Sequence, residues 1–253
     1  MPDHEPKGSI ITDPPAALPD PTRSFSGQNS ISLIPLNLCH VRGLFSSLGG
    51  HENDFLYTYL PSEPICDMEG MKTLVDFLIA SPVFFPYAII SSSPPQTPTP
   101  LSSTSNGIPV GIICYMNLVP SSFCIEIGHV LFGRTLQRTP ASTESNYLLM
   151  KYAFEELGYH RVEWKANNFN EPSKRAAVRL GFTFEGCFRK HMVVKRRRRD
   201  TAWFSCLDEE WTQGVGRALE EWLDEGNFDE EGRQKKKLEE IRGKYKDGRG
   251  MEG

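Results

Sequence analysis

Paired cysteines are the first thing this sequence lacks. Its six cysteines, Cys39, Cys66, Cys114, Cys124, Cys187 and Cys206, are scattered through 253 residues with no C-x-x-C motif. A chain of this size needs no disulfide staples, so reduced thiols in a cytoplasmic or nuclear compartment are expected. Long hydrophobic runs are also missing: none approaches the roughly 18 to 20 apolar residues of a membrane span. There is no basic excess either, since the net charge is −4, and nothing global points to nucleic acid or a membrane surface. Residues 1–30 contain Pro, Asp and Ser but no apolar core segment, so they are expected to be a disordered tail, neither a secretory signal nor a folded element.

What is present is 39% hydrophobic and 11% aromatic residues, enough for one domain of ordinary size with extensions. The stretch 125–182 organises the rest. It reads as a strand (125–132), a loop (133–142), a helix (143–158), a strand (161–166) and a short helix opening at Asn170. Tyr147, Met150, Phe154 and Leu157 recur at three- and four-residue spacing and form a core face. Asn170 suits an N-cap, Glu171 and Pro172 a first turn, and Gly181 the left-handed residue that ends a helix. A strand, a loop and a helix N-terminus in succession aim backbone N–H groups at an anion, although most such units bind nothing.

Upstream, 32–36, 85–91 and 109–118 read as strands and 40–48 and 71–80 as helices. Residues 55–60 read as a substrate-side loop, with packing the competing role for Phe55, Tyr57 and Tyr59. Residues 92–107 are nearly all Ser, Pro, Thr, Gln, Asn and Gly, which predicts a flexible insertion. Downstream, a strand pair is expected to turn at 195–199 and return over 200–207, with Trp203 and Phe204 as its bulky members. An amphipathic segment at 215–223 precedes a charged stretch, so 212–253 reads as a charged helical extension, solvated beyond 223.

Four motifs then occur in a telling order. They are Glu126-Ile127-Gly128-His129; the run from Leu136 through Gln137, Arg138, Thr139, Pro140, Ala141, Ser142 and Thr143 to Glu144; Asn170-Glu171-Pro172-Ser173; and Leu180-Gly181-Phe182 continuing to Arg189. Together they resemble the GCN5-related N-acetyltransferase (GNAT) superfamily, and more narrowly the branch of the ribosomal-protein N-terminal acetyltransferases RimJ and RimL with their fungal relatives. The resemblance spans roughly 36–211, within a domain taken as 31–211. It implies an α/β (α+β) GNAT fold: a central, mostly antiparallel mixed sheet flanked by helices and splayed between its fourth and fifth strands. Acetyl-CoA would lie in the opening as cosubstrate, without a metal. The acceptor would be a primary amine, on a protein N-terminus or a small molecule, and the protein a monomer or homodimer.

The resemblance also implies site residues. Gln137, Arg138, Thr139, Ala141, Ser142 and Thr143 would cradle the pyrophosphate, with Asn170 and Ser173 beside the cofactor. Pro140 stands where the family has a glycine, and Ser142 where it has Gly or Ala. Proline donates no N–H, but its fixed φ suits a first helical position, so Thr139 is expected to cap the helix that Pro140 starts. Arg138 or the hydroxyls of Thr139, Ser142 and Thr143 are the candidates to replace the lost donor.

Amide formation requires a base for an amine of pKa near ~10, a donor for the oxyanion and a proton for the leaving thiolate. Glu126 is the first candidate base and His191 the second. N–H groups near Val130 to Phe132 are the expected oxyanion donors. The family's usual tyrosine is replaced by Ala177, so the branch's Asn-x-x-Ser serine, Ser173, is the candidate for the thiolate. Met192 stands where RimL-like enzymes place a carboxylate, and its neighbour His191 is an inference from the residues. A salt-bridged strand carboxylate is the competing role for Glu126, and structural roles compete for His129 and His191. If the strand is regular, Glu126 and His129 cannot both face the cleft.

Two other classes stay open. Pro140, Ala177 and Met192 together fit a catalytically weak or inactive acyl-CoA-binding protein, which would bind CoA without turnover. The run 195–199 is read three ways: a solvated turn, a patch for an acidic substrate or the CoA 3′-phosphate, and a nuclear-import or nucleic-acid patch whose affinity would fall steeply with salt. A nucleophilic role for Cys124 or Cys187 is set against that of a buried small hydrophobe.

Overall fold

The computed structural model describes residues 8–92 and 107–246. Its strands are β1 (Phe25–Ser26), β2 (Ile31–Pro35), β3 (Phe84–Ser91), β4 (Ile108–Val119), β5 (Cys124–Phe132), β6 (Arg161–Asn167), β7 (Thr183–Val194) and β8 (Arg197–Leu207). They form one mixed sheet in the order β1-β2-β3-β4-β5-β6-β8-β7. The helices are α1 (Val41–Leu48), α2 (Met68–Ala80), α3 (Pro140–Lys151), α4 (Glu171–Leu180), the single turn α5 (Asp208–Glu210), α6 (Gly216–Leu223) and α7 (Leu238–Lys246).

Side chains alternate across the pleat, and this sorts the core into two layers. Ala88, Ile90, Ile112 and Cys114 meet α1 and α2 through Leu44, Leu48, Val75 and Leu78. The opposite face, with Tyr87, Ile113, Tyr115, Ile125 and Val162, is covered by Leu149 and Met150 of α3, Ala177 and Leu180 of α4, and the C-terminal helices. The mixed α/β fold expected of the sequence is therefore present.

Every neighbouring pair of strands is antiparallel except β5 and β6. That parallel pair needs a crossover, which α3 supplies. Its register covers Cys124↔Arg161, Ile125↔Val162 and Glu126↔Glu163 and then ends. Beyond Glu126 the two strands separate. The splay lies between the strands expected to be fourth and fifth, shifted by one because β1 precedes them.

β1 corrects the expectation of a disordered tail over 1–30. Phe25 is buried, edge-on to Tyr87 at 5.6 Å and to Tyr152 at 5.1 Å, and Ala16 is also buried. The Glu144 carboxylate accepts the backbone N–H groups of Gln28 at 2.6 Å and Asn29 at 2.8 Å, fixing the β1–β2 turn to α3. One aromatic anchor and one buried acceptor are enough to order a stretch whose composition is polar; residues 1–7 lie outside the described ones. The stretch beyond 223 is also more than a solvated extension: Leu238 and Ile241 are buried in the main core. Arg242 donates to the carbonyls of Val178 and Arg179 at 3.0 Å, satisfying the end of α4. Most of the insertion expected over 92–107, and residues 247–253, lie outside the described residues.

The hairpin turn is tighter than expected. β7 and β8 run through Val194 and Arg197, leaving only Lys195 and Arg196, both at positive φ (49° and 59°), as the connection. This is the two-residue geometry whose twist matches antiparallel strands. The loop expected over 55–60 overlaps a short 3-10 helix at His51–Tyr57, in which Tyr57 is core and donates to the Leu48 carbonyl at 3.0 Å. Among the described residues no helix is long and apolar enough to cross a membrane.

Candidate active site

The separation of β5 from β6 opens a cleft of about 1810 Å³. Its walls are β5 from Glu126 to Phe132, the start of α3, β6 from Trp164 to Asn167 and the start of α4. The turn before α2, with Phe55 and Tyr59, and Phe77 of α2 close one end, and Trp222 and Arg242 reach the other.

The strand register builds the centre. Phe84, Met116, Glu126, Glu163 and Ser205 face one another in one row across five strands. This row lies on the α1–α2 side, but those helices cover only the N-terminal half of the sheet. Polar side chains therefore stand where the helices stop. Glu126 is buried, with Oε2 accepting from Asn117 Nδ2 at 2.7 Å and pairing with Lys165 Nζ at 2.8 Å. Lys165 Nζ is also 2.9 Å from Glu163 and 4.0 Å from the Trp203 ring centre. Glu163 in turn meets Arg161 at 2.9 Å, and Arg161 grips Glu185 at 2.7 Å. The result is a chain of alternating charges running outward from Glu126.

Burial pushes the Glu126 pKa up, and the pull of Lys165 and Asn117 offsets it only in part. Burial also opposes charge on Glu163, but Lys165 and Arg161 together hold its pKa below the usual value. Glu126 is thus the more proton-hungry of the two carboxylates. Its other oxygen, Oε1, lies 3.2 Å from where a Cβ on Gly128 would stand, a place that the Met116 thioether approaches to 2.5 Å.

His129 also lines the cleft, contrary to the parity of a regular strand. The strand is bulged: Gly128 pairs with Cys114 but Leu131 with Ile112, leaving two residues of β5 opposite one of β4. His129 takes φ 47°, and Leu131 then joins the same core layer that Cys114 occupies. His129 sits edge-on to Phe84 at 6.2 Å, and its Nε2 is buried with no partner. Burial holds its pKa down to about 4, so the imidazole is neutral. Val130 and Phe132 line the cleft, on a β5 edge that has no strand beside it past Glu126.

Thr139 caps α3 and Pro140 begins it, as the sequence predicts, with Thr139 Oγ1 accepting from the Ser142 N–H at 3.3 Å. The hydroxyls are mostly spent on the backbone: Thr139 donates to the Leu136 carbonyl at 2.6 Å and Ser142 to the Thr139 carbonyl at 2.7 Å. Gln137 donates to the Phe132 carbonyl at 2.8 Å, fastening the loop to β5. Thr143 Oγ1 accepts from Arg179 at 2.8 Å and keeps its own proton. The Ala141 N–H lies in the first turn, where helix geometry supplies no partner. Arg138, at φ 61°, and Arg175 line the cleft, and no group among the described residues accepts from them.

Asn170 caps α4, its Oδ1 accepting from the Ser173 N–H at 3.2 Å. Ser173 Oγ accepts from Trp164 Nε1 at 3.0 Å, which leaves the hydroxyl proton free for the cleft. His191 is not among the cleft-lining residues. It sits on the outer hairpin, its Nδ1 3.1 Å from Thr201 Oγ1 and its ring edge-on to Trp203. Met192 is exposed and Ala177 buried. Burial, then Glu163, pushes the Cys124 thiol up to about 11, leaving no thiolate for nucleophilic attack. His51, Asp54 and Cys66 lie close enough to hold a cation but do not line the cleft.

The basic run divides by position. Lys195 Nζ donates to the Tyr57 carbonyl at 2.8 Å, Arg198 pairs with Asp200 at 2.9 Å, and Arg199 turns into the cleft. Sequence reading missed Lys165, Asn117 and Trp164, and did not single out Arg199 within the run 195–199. The alternation Arg161, Glu163, Lys165 with Val162, Trp164 between them was the available sign of one charged face and one buried face.

Residues 76–183 match the acetyltransferase (GNAT) domain. Among curated proteins, the chain is 30% identical over 86 residues to the uncharacterized N-acetyltransferase YnaD of Bacillus subtilis, covering 34% of this chain and 50% of that one. It is 33% identical over 101 residues to YdaF of the same organism, provisionally named a ribosomal N-acetyltransferase, covering 40% and 55%. The chain spans about half the length of these curated relatives. A solved structure is matched over nearly its whole length: a GCN5-related N-acetyltransferase from Brucella melitensis, 37% identical, covering 92% of this chain and 99% of that one with a TM-score of 0.83. A splayed sheet of this topology, carrying that level of identity along its length, makes the chain a member of the GCN5-related N-acetyltransferase family.

Proposed function

We propose that the protein transfers an acetyl group from acetyl-CoA directly to a primary amine in a ternary complex. The observation that carries this reading is the position of Glu126, a buried carboxylate of raised pKa that lines the cleft at the fork of the splay. Such a group accepts the proton of an amine, directly or through a water. Unpaired N–H groups on the β5 edge near Val130 and Phe132 are the oxyanion donors. The free hydroxyl proton of Ser173, held in place by Trp164, serves the leaving thiolate.

Arg138, the Ala141 N–H, Thr143 and Arg175 are the groups that would hold the pyrophosphate of acetyl-CoA, whose thioester would supply the activated acetyl group. Their idle donors fit an anion, and Arg138 and Thr143 replace the N–H that Pro140 lacks. Gln137, Thr139, Ser142 and Asn170 act by shaping the two helix starts rather than by touching the ligand with their side chains. We do not assign His191 a catalytic role. The acceptor amine is borne by a protein N-terminus or a small molecule; the name given to YdaF favours the former.

Isothermal titration with acetyl-CoA tests the first half, with desulfo-CoA as control for the nucleotide. Micromolar affinity is expected, and no binding would end the enzyme reading. An amine screen follows. Glu126→Gln is expected to lower kcat by about a hundredfold or more while leaving acetyl-CoA affinity within about twofold.

A further inference from the structure

Arg199 is a charged side chain with nothing to hold. It lines the cleft with Glu126 and Lys165, its Nε is buried without a partner, and no carboxylate or carbonyl among the described residues accepts from its guanidinium. Its position explains why. The last β6–β8 pair is Asn167↔Thr201, so Arg199 lies two residues past the end of the neighbouring strand, on the face it shares with Thr201 and Trp203. No strand beyond β6 offers an acceptor there.

The charge chain does not absorb it. Glu126, Glu163 and Glu185 are three carboxylates against the two cations Lys165 and Arg161, so Arg199 balances the surplus charge from a distance. A guanidinium kept half-buried for charge balance alone would still leave its N–H fork unused, and that costs more than a direct ion pair. Burial lowers its pKa, which Glu126 only partly restores, so the charge is held at a cost. The surroundings on this side are apolar: Leu74, Phe77, Phe84 and Met116 line the cleft, and Glu126, already paired, is the lining carboxylate near them. On this side of the cleft a polyamine would meet the cations Lys165 and Arg199, the other lining carboxylates, Glu171 and Glu239, standing on α4 and α7.

We infer that Arg199 reads an anionic group on the acceptor, so that the amine served by Glu126 belongs to a molecule with an apolar body and a carboxylate close to that amine. This rests on the acetyltransferase reading. The carboxylate comes either from the α-carboxyl of a free amino acid or from an acidic side chain at a peptide N-terminus. The planar fork of arginine suits a carboxylate held by two parallel hydrogen bonds.

The test uses product-like probes titrated into the full chain, with and without CoA: N-acetylphenylalanine, its carboxamide, and N-acetylaspartyl-phenylalaninamide. One of the two carboxylated probes is expected to bind about tenfold or more tightly than the neutral amide, and which one identifies the source. Arg199→Gln should erase the preference while leaving CoA affinity and Tm unchanged, and Arg199→Lys should restore part of it. Equal affinity for all three probes, no binding of any, or a preference that survives Arg199→Gln overturns the inference. CoA binding, measured separately, reports on the acetyltransferase reading itself.

Discussion

Lys165 places its ammonium 2.8 Å from Glu126 and 2.9 Å from Glu163, the two carboxylates that face each other at the last parallel pair before the cleft opens. Two buried like charges in neighbouring register are tolerable because one cation sits between them. Replacing Lys165 by Met is expected to cost about 3 kcal/mol or more at neutral pH, since it leaves uncompensated buried charge. The pKa of Glu126, already raised, would rise further. A raised folded-state pKa favours folding below the unfolded value and loses that advantage as pH climbs through the folded one. The Tm deficit of Lys165→Met should therefore widen as pH rises above the ordinary carboxylate range. Adding Glu126→Gln should narrow it, and a deficit independent of pH would contradict this account.

Gly128→Ala isolates access to Glu126 from its chemistry. The new Cβ would meet Met116 Sδ at 2.5 Å and Glu126 Oε1 at 3.2 Å. A methionine tip moves easily, so Tm should fall by only a few degrees, about 1 kcal/mol or less. Turnover should fall by about tenfold because the added methyl crowds the Glu126 carboxylate oxygen. Met116→Ala in the same chain is expected to restore Tm but not rate.

Ser173→Ala strands a buried indole N–H. Loss of Trp164's acceptor should cost about 1 to 3 kcal/mol and reduce kcat more than KM. Asn170→Ala removes the cap of α4 and should cost about 1 kcal/mol, whereas Asn170→Asp should keep the cap and most of the activity. Unchanged denaturation midpoints in both alanine variants would contradict these assignments.

His129 gives an opposite pH signature. Its folded pKa of about 4 lies below the ordinary histidine value, so the stability linked to its neutral form is present above about pH 6.5 and is lost as pH falls toward about 4. His129→Gln should flatten the acid limb of Tm against pH by an amount on the order of 2 kcal/mol. An unchanged acid limb would show that other groups set it.

Much of the fold could be read because its signals are local. Asn170 and Gly181 fix both ends of α4, and Thr139 with Pro140 fixes the start of α3, through capping rules that act within a single turn. Glu126 was likewise visible on its strand. Its counter-ion was not, because Lys165 is 39 positions away and meets it only through the β5–β6 register. The bulge at His129 escaped for a related reason. It depends on how β4 and β5 are matched residue by residue, and nothing in the run Gly128-His129-Val130 announces an extra residue. Phe25 was lost in polar company, since a composition argument averages over an anchor that acts alone.

The end of the β5–β6 register at Glu126 also has a mechanical meaning. Along the cleft the sheet has a seam: three backbone pairs and the Lys165 contact fasten the strands that carry α3 to those that carry α4. A molecule lodged between the two helix starts would stitch both sides together. Occupancy should then be readable without any chemistry, as slower proteolysis and slower amide exchange along the edges of β5 and β6 that face each other past Glu126.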